Sequence, residues 1–86
     1  MPQKESPLIR AKIEIQLENE LKARAVCFAL RPDEKFKLEG LRIRTVQRGN
    51  SVVTHLLCKR GPKSMAETID DLLRAVDLVL QVIDAH

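Results

Sequence analysis

The stretch LRIRTVQRGNSVVTHLLCK, residues 41–59, consists of two β-rich runs on either side of Arg48-Gly49-Asn50-Ser51. Its Gly-Asn pair supplies residues that tolerate a positive φ, as two-residue hairpin turns require. The pattern therefore predicts an antiparallel hairpin. In the first run Leu41, Ile43 and Thr45 alternate with Arg42, Arg44 and, further along, Arg48, which gives that strand one apolar and one wet face. The second run, SVVTHLLCK, is apolar on both phases, so its pattern assigns no facing.

Upstream, LIRAKIEIQL (8–17) alternates strictly. Ile9, Ala11, Ile13, Ile15 and Leu17 share one side, and Arg10, Lys12, Glu14 and Gln16 the other, which predicts a half-buried strand. ENELKARAVCFALRP (18–32) then changes to helical spacing, with Asn19 placed to cap a helix over roughly Glu20–Leu30. Pro32 biases the residue before it away from helix and so bounds the C-terminus. DEKFKLEG (33–40) reads as a charged connector, and residues 1–7, with Pro2 and Pro7, as a flexible arm.

Downstream, Gly61 and Pro62 break the chain, and Ser64-Met65-Ala66-Glu67 fits an S-x-x-E capping box. The run from Glu67 to His86 contains no Gly or Pro, and its early acids Glu67, Asp70 and Asp71 suit the positive end of a helix dipole. The order is β-α-β-β-α. In so short a chain it implies an α+β domain over residues 8–86: a three-stranded antiparallel sheet with two helices on one face.

At 86 residues the chain makes one domain and buries only about 60–65% of its unfolded surface. It holds two Phe and neither Trp nor Tyr, so base stacking on aromatic rings has almost nothing to use. No run approaches the ~18 apolar residues of a membrane span, and no apolar segment follows MPQKESP as a signal peptide needs, so the expected location is cytoplasmic. Cys27 and Cys58 lie 31 positions apart with no ligand-like neighbour, which reads as two reduced, half-buried small hydrophobes rather than a metal or redox site. His55 and His86 read as solvated side chains. No phosphate-loop, nucleophile-elbow or dinucleotide motif occurs. No cofactor and no enzymatic activity are expected. Asp70 and Asp71 form the one acid pair, and adjacent helical residues point ~100° apart, too far to flank one substrate.

On the last helix, Met65, Ile69, Leu72, Leu73, Ala75, Val76, Val79, Leu80, Val82 and Ile83 sweep about half the circumference, wider than the ~100° stripe a core-facing helix needs. One sheet face and one helix can cover most of this arc in an ordinary two-layer core. The alternative is an exposed apolar edge at Ala75, Leu78, Val79 and Val82 that receives a partner. Charge is also divided: residues 1–63 hold 14 Lys/Arg against 7 Asp/Glu, and residues 64–86 one Arg against five acids. Arg10, Lys12, Arg42 and Arg44 project from the sheet face opposite the helices, and Arg48, Lys59, Arg60 and Lys63 extend that region toward loops. Such a face is either a solvated, aggregation-resistant surface or a phosphate-contacting one.

The alternating first strand, ENELKARAVCFALRPDE, the basic hairpin and above all TIDDLLRAVDLVLQVI (68–83) together resemble the small Pcc-type dimerisation subunit of the KEOPS complex. The resemblance covers nearly all of the chain after Pro7. It implies the same three-stranded sheet with two helices on one face, and a non-catalytic scaffold. Two copies would pair, and the helices would dock a Kae/TsaD-like catalytic subunit that transfers threonylcarbamoyl to an adenosine of tRNA. The docking helix would be Thr68–Ile83, with its interface at Ala75, Leu78, Val79 and Val82. Ala66 stands where the family commonly has Arg, two residues before Thr68. That leaves a homodimer of a standard subunit and a heterodimer of a divergent paralogue both open. Abundant charge and only two Asn suit a thermophilic archaeon. The competing reading is a free-standing basic module that binds RNA through its sheet.

Overall fold

The computed structural model describes residues 7–31 and 39–84. The arm (but for Pro7), Pro32 and most of the connector lie outside the described residues. The elements run β1 (Ile9–Gln16), α1 (Glu20–Leu30), β2 (Leu41–Arg48), β3 (Ser51–Cys58) and α2 (Pro62–Asp84). All three strands are antiparallel in the order β1-β3-β2, with β3 central.

The hairpin turn is Gly49-Asn50, and only Gly49 takes a positive φ, of 59°. A positive φ at the first central position alone is the type II′ pattern, which matches the twist of the strands it joins. The turn also anchors β1, whose extension Leu17 N–H donates to the Asn50 carbonyl at 2.8 Å. Gln47 Nε2 donates to the carbonyls of Gly49 and of Glu20, tying the start of α1 to the same corner.

The register assigns the facing of β3 that its own pattern leaves open. Val52, Thr54, Leu56 and Cys58 pair with Ile15, Ile13, Ala11 and Ile9 of β1, and with Gln47, Thr45, Ile43 and Leu41 of β2. Residues paired across a sheet share a face, so these twelve form the side under the helices. There Ala23, Val26, Cys27 and Leu30 of α1 pack with Val52 and with Val76 of α2. A second cluster joins Leu56, Cys58 and Met65 to Ile9, Ala11, Ile13, Leu41, Ile43 and Ile69. Both helices thus cover one face, as the alternation of β1 and β2 requires. Cys27 and Cys58 are free and fully buried in different clusters, deeper than half-buried, because α1 and β3 turn them straight into the core.

The helix starts differ in how they follow from sequence. At α1 the Asn19 side chain accepts from the Lys22 backbone N–H at 2.8 Å, and the Asn19 carbonyl accepts the first helical bond from Ala23. At α2 the capping box does not form. The helix begins two residues before Ser64, with Gly61 at φ 95° as its cap and the Gly61 carbonyl accepting from Met65 N–H at 3.1 Å. Pro62 then occupies the first helical position, where its missing N–H costs nothing and its fixed φ is already helical. Ser64 lies inside the helix and accepts from Arg60 Nε and, through its carbonyl, from Thr68 Oγ1. This earlier start leaves no acid in the first turn of α2. Asp70 is placed instead by an i,i+4 pair with Arg74 at 3.0 Å, not by the dipole, whose effect falls off within a turn.

Candidate interaction surfaces

Two surfaces on opposite layers hold the residues singled out from the sequence. On α2, Met65 and Val76 are buried, and Ile69, Leu72, Leu80 and Ile83 are half-buried around them. Ala75 and Val79 are half-buried beside the first cluster. Leu78 and Val82 stand clear, 61% and 62% exposed. One core therefore does not cover the arc. Its outer part forms an edge running Ala75, Leu78, Val79, Val82 over two turns.

The two helices also meet at their ends. Lys22 Nζ of α1 lies 2.9 Å from Asp84 Oδ1 at the end of α2. The base of the edge, Ala75 and Val79, leans against the cluster that α1 lines, and its outer residues, Leu78 and Val82, stand beyond that cover. The edge is bounded by Asp71 and Arg74, both exposed.

A feature of α1 escapes sequence analysis. Leu21 and Phe28 are 73% and 74% exposed, one heptad apart on the side opposite Ala23, Val26, Cys27 and Leu30. The signal lies in the wheel: two large apolar residues ~20° apart, facing away from a complete core stripe.

The other surface is the open side of the sheet. Arg10, Leu57 and Arg42 form one cross-strand row, and Lys12, His55 and Arg44 the next. Glu14, Val53 and Val46 follow, then Gln16, Ser51 and Arg48. Arg10, Lys12, Arg42, Arg44 and His55 are exposed, Leu57 is half-buried and Val53 is buried. Beyond the first row Lys59, whose N–H donates to the Gly40 carbonyl at 2.7 Å, continues the column of His55 and Leu57.

The eight cations thus separate. Arg10, Lys12, Arg42, Arg44 and Lys59 gather at one end of the face, whereas Lys63 lies in the first turn of α2, in the helix layer. Arg48 lies beside the hairpin turn, six residues or ~20 Å along β2 from Arg42. Arg60 is occupied: its guanidinium donates to the Glu39 carbonyl at 3.2 Å and to Ser64 Oγ at 3.3 Å, bracing the corner between β3 and α2. His55 and Leu57, at the centre of the cluster, could not be placed from β3 alone.

Among the described residues, no group of three or more His, Cys, Asp or Glu could hold a metal ion, and no helix is long and apolar enough to cross a membrane. A small α+β domain whose helix layer leaves an apolar edge uncovered belongs to the class of interaction and assembly modules. The family model described as "Transcription factor Pcc1" matches residues 10–84, and the chain belongs to that family, a family of non-catalytic KEOPS subunits. Among solved structures, a chain from the "Crystal structure of binary complex Gon7-Pcc1" is similar at a TM-score of 0.76 and 13% identity, over 90% of this chain and 94% of that one, a likeness of fold. No curated protein matches.

Proposed function

We propose that this chain is a dimerising scaffold of KEOPS that docks a Kae/TsaD-like catalytic subunit through its helices and so supports threonylcarbamoyladenosine formation on tRNA in the cytoplasm. The observation that carries the reading is the exposure of Leu78 and Val82 on α2. A soluble domain gains by covering such an edge, and helix-in-groove contact uses residues at this spacing. Ala75 and Val79 form the base of the edge. The paired state is either a homodimer or a heterodimer with a Pcc-type paralogue. The similar structure being that of a binary complex supports a pairing role, as do the outer edges of β1 and β2, each of which pairs only with β3 among the described strands.

The test is assembly by size-exclusion chromatography with the catalytic subunit, and separately with the paralogue. Leu78→Asp/Val82→Asp abolishes co-elution with the catalytic subunit while the circular dichroism spectrum and melting temperature stay as in the parent. Unchanged co-elution overturns the docking reading.

A further inference from the structure

The helix layer accounts for the apolar edge of α2 and leaves the opposite layer unused. We propose that the open face of the sheet receives one acidic amphipathic helix of a partner protein, laid along β3. The inference stands apart from the docking reading, since it uses the other side of the sheet.

The outward residues of the three strands divide by chemistry into a centre and two flanks. Along the middle run Val53, His55 and Leu57 of β3, with Leu57 half-buried and Val53 only 5% exposed. Val46 of β2, also half-buried, pairs with Val53. Arg10 and Lys12 stand on the β1 flank and Arg42 and Arg44 on the β2 flank, level with Leu57 and His55. Lys59 closes the head of the column. All five cations are exposed, and none takes part in an ion pair with a described acid, whereas Lys22 and Arg74 do. The face is thus an apolar centre between two cationic rails, which meet only because β3 pairs with both edge strands.

Geometry selects a helix as the cover. Strands either side of a central one stand ~10 Å apart, which is about the diameter of one α-helix with its side chains. A segment laid on a sheet face finds no ladder to join, so its N–H and C=O groups need partners within the segment, as a helix provides. The column from Lys59 to Val53 is ~20 Å long, and about 13 helical residues cover it.

Charge selects the sequence of that helix. An apolar stripe at i, i+3, i+4 and i+7 covers Leu57 and Val46, with Val53 as the floor between them. Acids on both sides of the stripe meet the rails, where the planar fork of Arg takes carboxylate oxygens in pairs. Glu14, exposed in the row of Val53, repels an acid at that level, so the acids belong over Lys12 and Arg44 and toward Lys59. A nucleic-acid backbone is the competing occupant. It gains nothing from Val46 and Leu57, and no strand carries an aromatic side chain on which its bases could stack.

The experiment is fluorescence anisotropy of the full chain with a labelled synthetic helix of about 14 residues, Leu along one stripe and Glu on both its flanks. The same peptide with Gln for Glu, a version with a central Pro, and a labelled RNA hairpin serve for comparison. The Glu peptide is expected to bind, and the Gln and Pro versions to bind at least about tenfold more weakly. Arg42→Gln/Arg44→Gln, Arg10→Gln/Lys12→Gln and Leu57→Asn each weaken the Glu peptide about tenfold, while Arg48→Gln, beside the hairpin turn, leaves it unchanged. Leu78→Asp/Val82→Asp retains the parent affinity for the peptide, so failure of docking and failure of this inference read out separately. The proposal is overturned by no binding of the Glu peptide at ~50 mM salt, or by equal binding of the Pro version, since an extended acidic chain then suffices. It is also overturned if Leu57→Asn has no effect, which leaves charge alone as the attraction, or if the RNA hairpin binds and the Glu peptide does not.

Discussion

The ammonium of Lys22, in the first turn of α1, lies 2.9 Å from the carboxylate of Asp84, the last residue of α2, and 2.9 Å from Glu18. A carboxylate at a helix C-terminus opposes the dipole, and Lys22 offsets it while joining the two helices end to end. The hydrogen bond to Asp84, then that to Glu18, raise the Lys22 pKa above its ordinary 10.5. A raised lysine pKa stabilises the fold fully below the unfolded-state value and ceases to do so as pH climbs through the folded-state value. Lys22→Met is therefore expected to lower the melting temperature slightly at pH 7, with the difference closing at pH values above 10.5 and shrinking in 1 M salt. Thermal melts across pH and salt check this, and a difference that persists at high pH refutes it.

Thr45 and Thr54 face each other across β2 and β3 with their hydroxyls 3.1 Å apart, Thr54 being buried. Either single Thr→Val change strands the remaining hydroxyl and is expected to cost about 1 kcal/mol. The double change removes both hydroxyls and is expected to be nearly neutral, with urea denaturation of all four proteins giving the coupling energy.

Gly61 begins α2 at φ 95° with nothing within 4 Å of where a Cβ would sit. Gly61→Ala therefore meets only backbone strain, expected at about 1–2 kcal/mol. Gly61→Asn, which tolerates positive φ better, is expected to recover part of it. Equal losses for the two in chemical denaturation contradict the conformational explanation.

Leu56 and Leu78 separate folding from docking. Leu56, 1% exposed at the centre of β3, leaves a cavity when cut to Ala, at an expected 2–5 kcal/mol, a large share of a small domain's stability. Leu78→Ala, on the exposed edge, is expected to change stability by no more than ~0.5 kcal/mol. Denaturation midpoints measured without a partner give the comparison directly.

Local periodicity was sufficient for much of this molecule. β1 and β2 each have one face against helices and one in water, so their alternation could be read residue by residue. Arg10, Lys12, Arg42 and Arg44 are on the wet side for that reason. The span of α1 was legible from Asn19 and the helical spacing, and the hairpin from Gly49-Asn50. At the start of α2 two signals overlap, and the rigid Gly61-Pro62 pair governs over the side-chain cap that Ser64 offers two residues later. The wide arc of α2 was visible as an excess, but which part of it stays uncovered depends on where α1 lies.

Local pattern is enough for the element order, the wet and dry sides of the edge strands, and an apolar helix too wide for its own domain. These are short-range properties, set by the two-residue period of strands and the 3.6-residue period of helices. Tertiary structure alone decided that β3 is central, that His55 and Leu57 sit among four cations, and that Arg48 and Arg60 are elsewhere engaged or remote. The physical reason is that β3 is apolar on both phases. Its facing comes from pairing with β1, more than thirty residues away, and no local pattern encodes a contact that only chain closure creates.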